Sequence, residues 1–354
     1  MSPTTPADVD LLADDVEQDL RASVRKVLEK HAPTDRLNGV YDGEDTVTGP
    51  LWAAFVDLGL PGLLVPEDLG GAGATAREAA AVLEELGRAA APSPFLTSCV
   101  VATTVLVALG DESLLPALAS GEQTAALVVR PTARRHSTDG TLSGTVTTVG
   151  LPADVLLVPV GDALYAVRGA AVSPVSSLDM TRPLAEVVLD GADATLVAED
   201  AVAAIDAGLL AGAGLLAAEQ VGIARWALET TIAYLKERRQ FGRVVGGFQA
   251  LKHRLADLYA EVEQADAAAR YAAATLATGD PDAPVAVAVA AAFCSEAAVH
   301  AAEEAIQLHG GIGMTWEHPA HLHLKRAKAD ALLLGTPESH RAALAVLVDL
   351  PAPH

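Results

Sequence analysis

Glu237-Arg-Arg-Gln-Phe-Gly-Arg-Val-Val-Gly-Gly-Phe-Gln249 is the stretch that decides how this chain is built. Two arginines are followed by an aromatic, then by a third arginine among glycines, then by a Phe-Gln pair. Upstream, residues 205–240 could form one helix of about 50 Å at 1.5 Å per residue. Downstream, Leu255, Leu258, Tyr259, Val262 and Ala265 share one face of a helix that begins near Phe248. The stretch is therefore a corner between two long helices. Two further helices are expected, over 282–309 and from His323 to beyond Arg341, and short connections between four long helices imply an antiparallel bundle. The corner itself has two readings. Fixed guanidiniums beside glycines suit a pyrophosphate, and cations also cap the negative end of a helix dipole.

Working towards the N-terminus, the texture changes twice. Residues 125–129, 141–148, 155–160, 164–167 and 184–189 are short and rich in β-branched residues, with Gly, Asp and Pro between them. They predict a small, mostly antiparallel β unit. Before it, Val16, Leu20, Val24, Val27 and Leu28 follow helical spacing, and 51–58 and 78–86 continue the pattern. Pro92 and Pro94 mark the entry to another helix running toward Gly110. The expected organisation is mainly α with a small β domain. It comprises an N-terminal helical domain over 1–122, a shortened β domain over 123–203 and a C-terminal four-helix bundle over 204–354.

Composition narrows the class. The 354 residues carry a net charge of −22, which argues against a nucleic-acid surface and gives no reason to expect an anionic membrane as partner. The two cysteines, Cys99 and Cys294, sit in apolar stretches and suggest buried thiols in a reducing compartment. The first residues are acidic and Pro-bearing, without the basic start and apolar core of an export signal. The apolar runs over 96–109 and 283–301 look like buried helices rather than membrane spans. A cytoplasmic protein is expected.

Other signals have plainer explanations. Gly71-Ala-Gly-Ala-Thr-Ala76 imitates a dinucleotide fingerprint, but it follows Pro66-Glu67-Asp68, a poor strand end, so a turn with Thr75 capping the next helix fits better. His318, His321 and His323 crowd beside Glu317 without the spacing of a zinc motif, and no metal is expected. Asp179-Met-Thr-Arg182 is explained by a salt-bridged turn. Ile306-Gln-Leu-His-Gly-Gly-Ile-Gly313 is more specific. Paired glycines let a ligand approach the backbone and Gln307 both donates and accepts, although a glycine C-cap explains the same pair.

Taken together, Glu237-Arg-Arg-Gln-Phe-Gly242, Phe248-Gln249, Gln307-Leu-His-Gly-Gly-Ile-Gly313 and Lys325-Arg-Ala-Lys328 resemble the acyl-CoA dehydrogenase family. Residues 58–73 and 83–88 are similar to that family's N-terminal helical domain. The resemblance implies an FAD-dependent oxidoreductase acting on an acyl-CoA thioester in fatty-acid or steroid breakdown. It implies a tetramer in which the bundle of one subunit contacts FAD held mainly by its neighbour, and an electron acceptor such as an electron-transfer flavoprotein. Position by position, Arg238, Phe241 and Gln249 would meet the neighbour's flavin diphosphate and adenosine side. Gln307, Gly310 and Gly311 would continue the cradle, and Gly335 and Thr336 belong to a further flavin-site segment, Lys325-Arg-Ala-Lys-Ala-Asp-Ala-Leu-Leu-Leu-Gly-Thr336.

The chain departs from the family where a subunit builds its own active site. Leu334 stands where many members carry the catalytic Glu, and a leucine cannot accept a proton. No carboxylate lies near Gly212, the alternative base position. The segment Arg130-Pro-Thr-Ala-Arg-Arg-His-Ser137 replaces a Thr-Glu-Pro and Gly-Ser-Asp element, and Thr147-Thr-Val-Gly150 replaces one like Trp-Ile-Thr-Asn. These departures suggest a shorter, non-catalytic-type subunit paired with a homologous catalytic subunit in an α2β2 heterotetramer. The alternatives are a self-sufficient enzyme with Glu338 as a non-standard base, and a scaffold without flavin.

Overall fold

The computed structural model describes residues 11–129, 134–135, 141–149 and 153–351. Helices come first: α1 (Asp15–His31), α2 (Thr34–Tyr41), α3 (Thr48–Asp57), α4 (Ala76–Ala89), α5 (Thr103–Leu109) and α6 (Leu115–Ala119). Strands β1 (Ala125–Leu127), β2 (Arg134–Arg135), β3 (Leu142–Val149), β4 (Val155–Val160), β5 (Ala163–Val167), β6 (Ala171–Val175), β7 (Leu184–Ala192) and β8 (Ala194–Ala198) follow. Helices then return with α7 (Val202–Glu237), so the fold is mainly α with a small β domain, as the sequence predicts. By contacts the chain forms two interleaved units. One holds Val24–Thr75 and Ala89–Gly212, and the other the described parts of Met1–Ser23, Ala76–Arg88 and Ala213–His354.

In the first unit, two four-stranded sheets run in the orders β1-β4-β5-β8 and β2-β3-β7-β6. Every pair is antiparallel except β1 with β4. Alternation works as a one-sided sheet requires: on β7, Ala185, Val187 and Leu189 are buried while Glu186, Val188 and Asp190 face out. Val187 and Leu189 join Ala126, Val128, Leu156 and Val158 in one core. The helix expected after Pro94 begins as a π-helix over Phe95–Ala102 before α5, and Ser98 Oγ accepts the Ala125 amide at 3.0 Å. The Gly71 stretch is a turn folded onto residues 62–66, where a Cβ on Gly71 would lie 2.0 Å from the Val65 carbonyl. Asp179 is buried and accepts from Tyr41 Oη (3.1 Å) and the Thr181 amide (2.9 Å), which is a structural turn.

In the second unit, α7 is followed by the two-residue strands β9 (Arg239–Gln240) and β10 (Arg243–Val244), then α8 (Gln249–Thr278) and α9 (Ala283–His309). The pairs Arg254–Glu304, His300–Glu261 and Cys294 with the Ala265 carbonyl descend in antiparallel register along α8 and α9. Small side chains let these helices approach closely. Ala224, Ala227, Leu228, Leu258, Val262, Ala301 and Ala305 form one buried cluster. Helix α4 crosses α7 at two glycines: a Cβ on Gly222 would fall 2.0 Å from the Glu84 carbonyl, and one on Gly87 1.9 Å from that of Glu219. The same two glutamates point buried carboxylates at arginines, Glu84 to Arg21 and Arg225, and Glu219 to Arg326 at 2.5 Å.

One expectation is corrected. The fourth bundle helix does not run from His323 past Arg341. It is α10 (Ala320–Asp330), then a turn over 331–335, then α11 (Pro337–Leu347). Leu334 (φ 59) and Gly335 (φ 121) leave the helical region, and Pro337 opens the next helix with Thr336 as its N-cap. Two helices, Val202–Glu237 and Ala283–Met314, are long and apolar enough to cross a membrane. However, 56% and 67% of their most apolar windows are buried inside the protein, which is how core helices look.

Candidate functional site

The antiparallel register places the end of α7, the start of α8 and the end of α9 at one end of the bundle. At that end α7 stops with the Arg238 amide still bonded to the Tyr234 carbonyl (2.9 Å), and β9 and β10 form a hairpin whose two-residue loop is Phe241-Gly242. Both loop residues have positive φ, 53° and 74°, as a type I′ turn demands. For a phenylalanine that conformation costs about 1–2 kcal/mol. Phe241 is 89% exposed, its ring perpendicular to that of Phe248 with centroids 6.2 Å apart, and Arg243 stacks on the Phe248 ring at 3.7 Å. Arg238, Arg239, Arg243 and Gln249 are all exposed here, with Gln249 Nε2 3.1 Å from His253. Gly246 is required for the corner to close, since a Cβ would meet the Leu235 carbonyl at 2.8 Å.

The end of α9 brings Gln307, Gly310 and Gly311 to the same end. All three are exposed, and a Cβ on either glycine would meet nothing within 4 Å, so the backbone is open to a ligand. Two side chains that sequence reasoning passed over join the segments. Tyr234, one turn before Arg238, stacks on His309 with ring centroids 4.5 Å apart, and His309 packs on His318 at 4.2 Å. The available signal was an aromatic one turn before the arginines and a histidine inside the Gln-Leu-His-Gly-Gly motif.

The histidines around this end are held by backbone groups. His309 Nδ1 donates to the Ala305 carbonyl (2.7 Å), His318 Nδ1 accepts the Ala320 amide (3.3 Å), and His321 Nε2 donates to the Trp316 carbonyl (3.2 Å). Burial lowers the pKa of His309, and burial with the nearby His309 pushes His318 to about 4. His323 lies 3.4 Å above Trp226, with its nitrogens at the Arg88 (2.9 Å) and Pro319 (3.1 Å) carbonyls. Two carbonyls favour a second proton on that ring, but its complete burial outweighs them and holds its pKa at about 4.

The Leu334-Gly335-Thr336 turn is a separate locus. Lys328 pairs with Glu303 and Arg341 with Glu296, seven and fourteen residues before Gly310 on α9. Those levels lie about 10 and 21 Å down the helix at 1.5 Å per residue. Leu334 is half-buried, and Thr336 Oγ1 accepts the Ser339 amide at 3.3 Å. His340 folds over Gly335, where a Cβ would sit 2.7 Å from its Nε2. Because the helix breaks here, Glu338 and Leu334 do not share a helical face. Glu338 is exposed and sits 3.5 Å from Arg341, and hydrogen bonds from its own amide and from Thr336 hold its carboxyl below the usual glutamate range. That is the wrong direction for a proton acceptor.

Residues 130–133, 136–140 and 150–152 lie outside the described residues, and with them most of the 130–137 segment and Gly150. A cleft elsewhere in this unit, between α1, α4, α7 and α8, is lined by Glu17, Arg21, Arg77, Glu84, Asp266 and Arg270. Its arginines all pair with carboxylates, so it reads as a structural ion network.

Comparison with known proteins gives two family matches. The acyl-CoA dehydrogenase N-terminal domain matches residues 14–122 and the acyl-CoA dehydrogenase C-terminal domain residues 201–347. Acyl-CoA dehydrogenase IpdE2 of Mycolicibacterium smegmatis is 38% identical over 320 residues, covering 90% of this chain and 94% of that protein. Among solved structures, the ChsE4-ChsE5 complex from Mycobacterium tuberculosis superposes with a TM-score of 0.86 at 26% identity, covering 97% of this chain and 100% of that one. The Tcur3481-Tcur3483 steroid ACAD, in a variant form, gives 0.84 at 28% identity, covering 95% and 98%.

Proposed function

The chain belongs to the acyl-CoA dehydrogenase family, and we propose that it serves there as the flavin-supporting subunit of a heteromeric complex. The observation that carries this reading is the contrast between its two candidate loci. The bundle end offers exposed guanidiniums and bare glycine backbone, while the turn before Thr336 holds Leu334 and has no carboxylate set up to take a proton.

The donor set fits FAD. Arg238, with Arg239 and Arg243 beside it, supplies cations for a diphosphate. Gln249 and Gln307 supply amides that donate and accept, and Gly310 and Gly311 let phosphate oxygens approach the main chain. Phe241 presents a flat apolar surface beside them. When bound, FAD supplies the oxidant that takes the β-hydrogen of an acyl-CoA as hydride. The residues of this chain bind and orient that group and screen its negative charge. They do not remove the α-proton, which falls to a carboxylate on a homologous catalytic partner, with two copies of each chain in the assembly. Gly335 and Thr336 form the remnant of a second flavin segment.

The relatives named for complexes and for a steroid ACAD support a heteromeric assembly and a steroid-derived or fatty acyl-CoA as substrate. An electron-transfer flavoprotein is the proposed acceptor and the cytoplasm the proposed location. The division into domains at 1–122, 123–203 and 204–354 belongs to the same reading.

Co-expression with a homologous acyl-CoA dehydrogenase chain from the same source tests this. FAD and dehydrogenation are expected only in the co-purified complex, with Arg238→Ala weakening FAD binding 10- to 100-fold, the equivalent of about 1.5–3 kcal/mol for a lost charged contact. Full activity of the isolated chain would overturn the reading, and a colourless complex would leave a scaffold without flavin.

A further inference from the structure

We propose that His309 is the positioning residue of the diphosphate cradle, its ring fixing the α7 arginine corner against the α9 glycines. This inference rests on the flavin-supporting reading. The cradle is drawn from two segments, Arg238 at the end of α7 and Gln307, Gly310 and Gly311 at the end of α9. The glycines have the freest backbone of any residue type and meet no packing of their own, so they hold a shape only if their neighbours impose it.

His309 is the neighbour that does so. It immediately precedes Gly310, and its side chain is only 3% exposed in a region where the cradle residues themselves are open. One ring face meets Tyr234, whose own carbonyl receives the Arg238 amide. His318 packs against the ring at 4.2 Å. The chain beyond the glycines folds back so tightly that a Cβ on Gly313 would come within 3.0 Å of His309 Cβ. The ring is thus pinned by α7, by the segment before α10 and by the returning turn. The Ala305 carbonyl fixes its tautomer, with the proton on Nδ1. Burial keeps it neutral, so it sets a spacing without competing with the arginines for phosphate.

The test is FAD affinity of the co-purified complex, read by flavin fluorescence, for the wild-type chain and for His309→Ala, His309→Phe, Tyr234→Ala, the Tyr234→Ala/His309→Ala double variant and Arg238→Ala. Thermal midpoints are recorded for each. His309→Ala is expected to weaken FAD on the order of tenfold, the upper range for loss of an aromatic pair. His309→Phe, which keeps a flat ring, should recover most of that affinity, and the double variant should bind no worse than the weaker single one. KM for the acyl-CoA at saturating FAD should not move, because the thioester pocket belongs to the partner. Should His309→Ala fail to fold, Tyr234→Ala reports the same contact from the other side. Wild-type affinity in folded His309→Ala or Tyr234→Ala, or His309→Phe as weak as His309→Ala, would overturn this inference while leaving the flavin site standing. No effect of Arg238→Ala would overturn the flavin reading itself.

Discussion

The α4–α7 crossing and the far end of the bundle are built from the same materials, glycines and charged side chains, and use them in opposite ways. At the crossing, Gly87 and Gly222 remove side chains so that two backbones can touch, and the buried carboxylates of Glu84 and Glu219 are matched by arginines. At the bundle end, Gly310 and Gly311 face open space, and Arg238, Arg239 and Arg243 stand exposed around a strained Phe241. Close packing with paired charge serves the fold. Open backbone with exposed charge is left available to the ligand proposed above, and local backbone strain is a feature that such sites often carry.

The contrast can be broken experimentally. Glu219→Gln should cost the most, about 3–5 kcal/mol by denaturant unfolding, because it removes the negative charge that sits 2.5 Å from the buried Arg326 guanidinium. Arg238→Ala at the other end should leave the unfolding midpoint unchanged. Gly222→Ala should cost about 3 kcal/mol by forcing the helices apart, whereas Gly247→Ala, where a Cβ meets nothing within 4 Å, should stay within about 0.5 kcal/mol. Equal effects at the two glycines would dissolve the distinction.

Acid should act next. His318 and His323 titrate near 4 in the folded protein against an ordinary 6.5. The unfolded chain therefore binds more protons between those values, and stability should fall as the pH drops from about 6.5 to about 4, with no contribution from these rings above that window. His323→Gln should flatten part of that slope in unfolding curves recorded against pH. A small gain is expected at Phe241→Gly, which should raise stability by about 0.5–1 kcal/mol through relief of the left-handed strain while lowering FAD affinity. A loss of stability there would mean that Phe241 packs for the fold after all.

Much of this was legible in the sequence. The helix expected to start near Phe248 starts at Gln249, and the one expected over 282–309 runs over Ala283–His309, because unbroken apolar spacing and a flanking glycine fix such ends. The broken fourth helix was misjudged although Gly335 and Pro337 were visible, since Ala and Leu before them favour continuation and only the backbone shows Leu334 turning left-handed. Strands β6 and β8 were missed: β6 is exposed throughout and carries no alternation to detect. The corner residues were readable as a local cluster. The Tyr234–His309 contact and the Gly87–Gly222 crossing were not, since each joins residues far apart in sequence.

The hairpin corner also has an electrical consequence. Between 236 and 254 the chain carries Lys236, Arg238, Arg239, Arg243, Lys252 and Arg254 against one acid, Glu237, in a protein of net charge −22. The opposite turn of the bundle, between α8 and α9, carries Asp280 and Asp282. Such an arrangement gives the bundle a local excess of positive charge at this corner, even with Arg254 paired to Glu304. In dilute salt an approaching anionic surface would rotate it until the positive tip leads, so docking should slow as ionic strength rises even where the final affinity changes little.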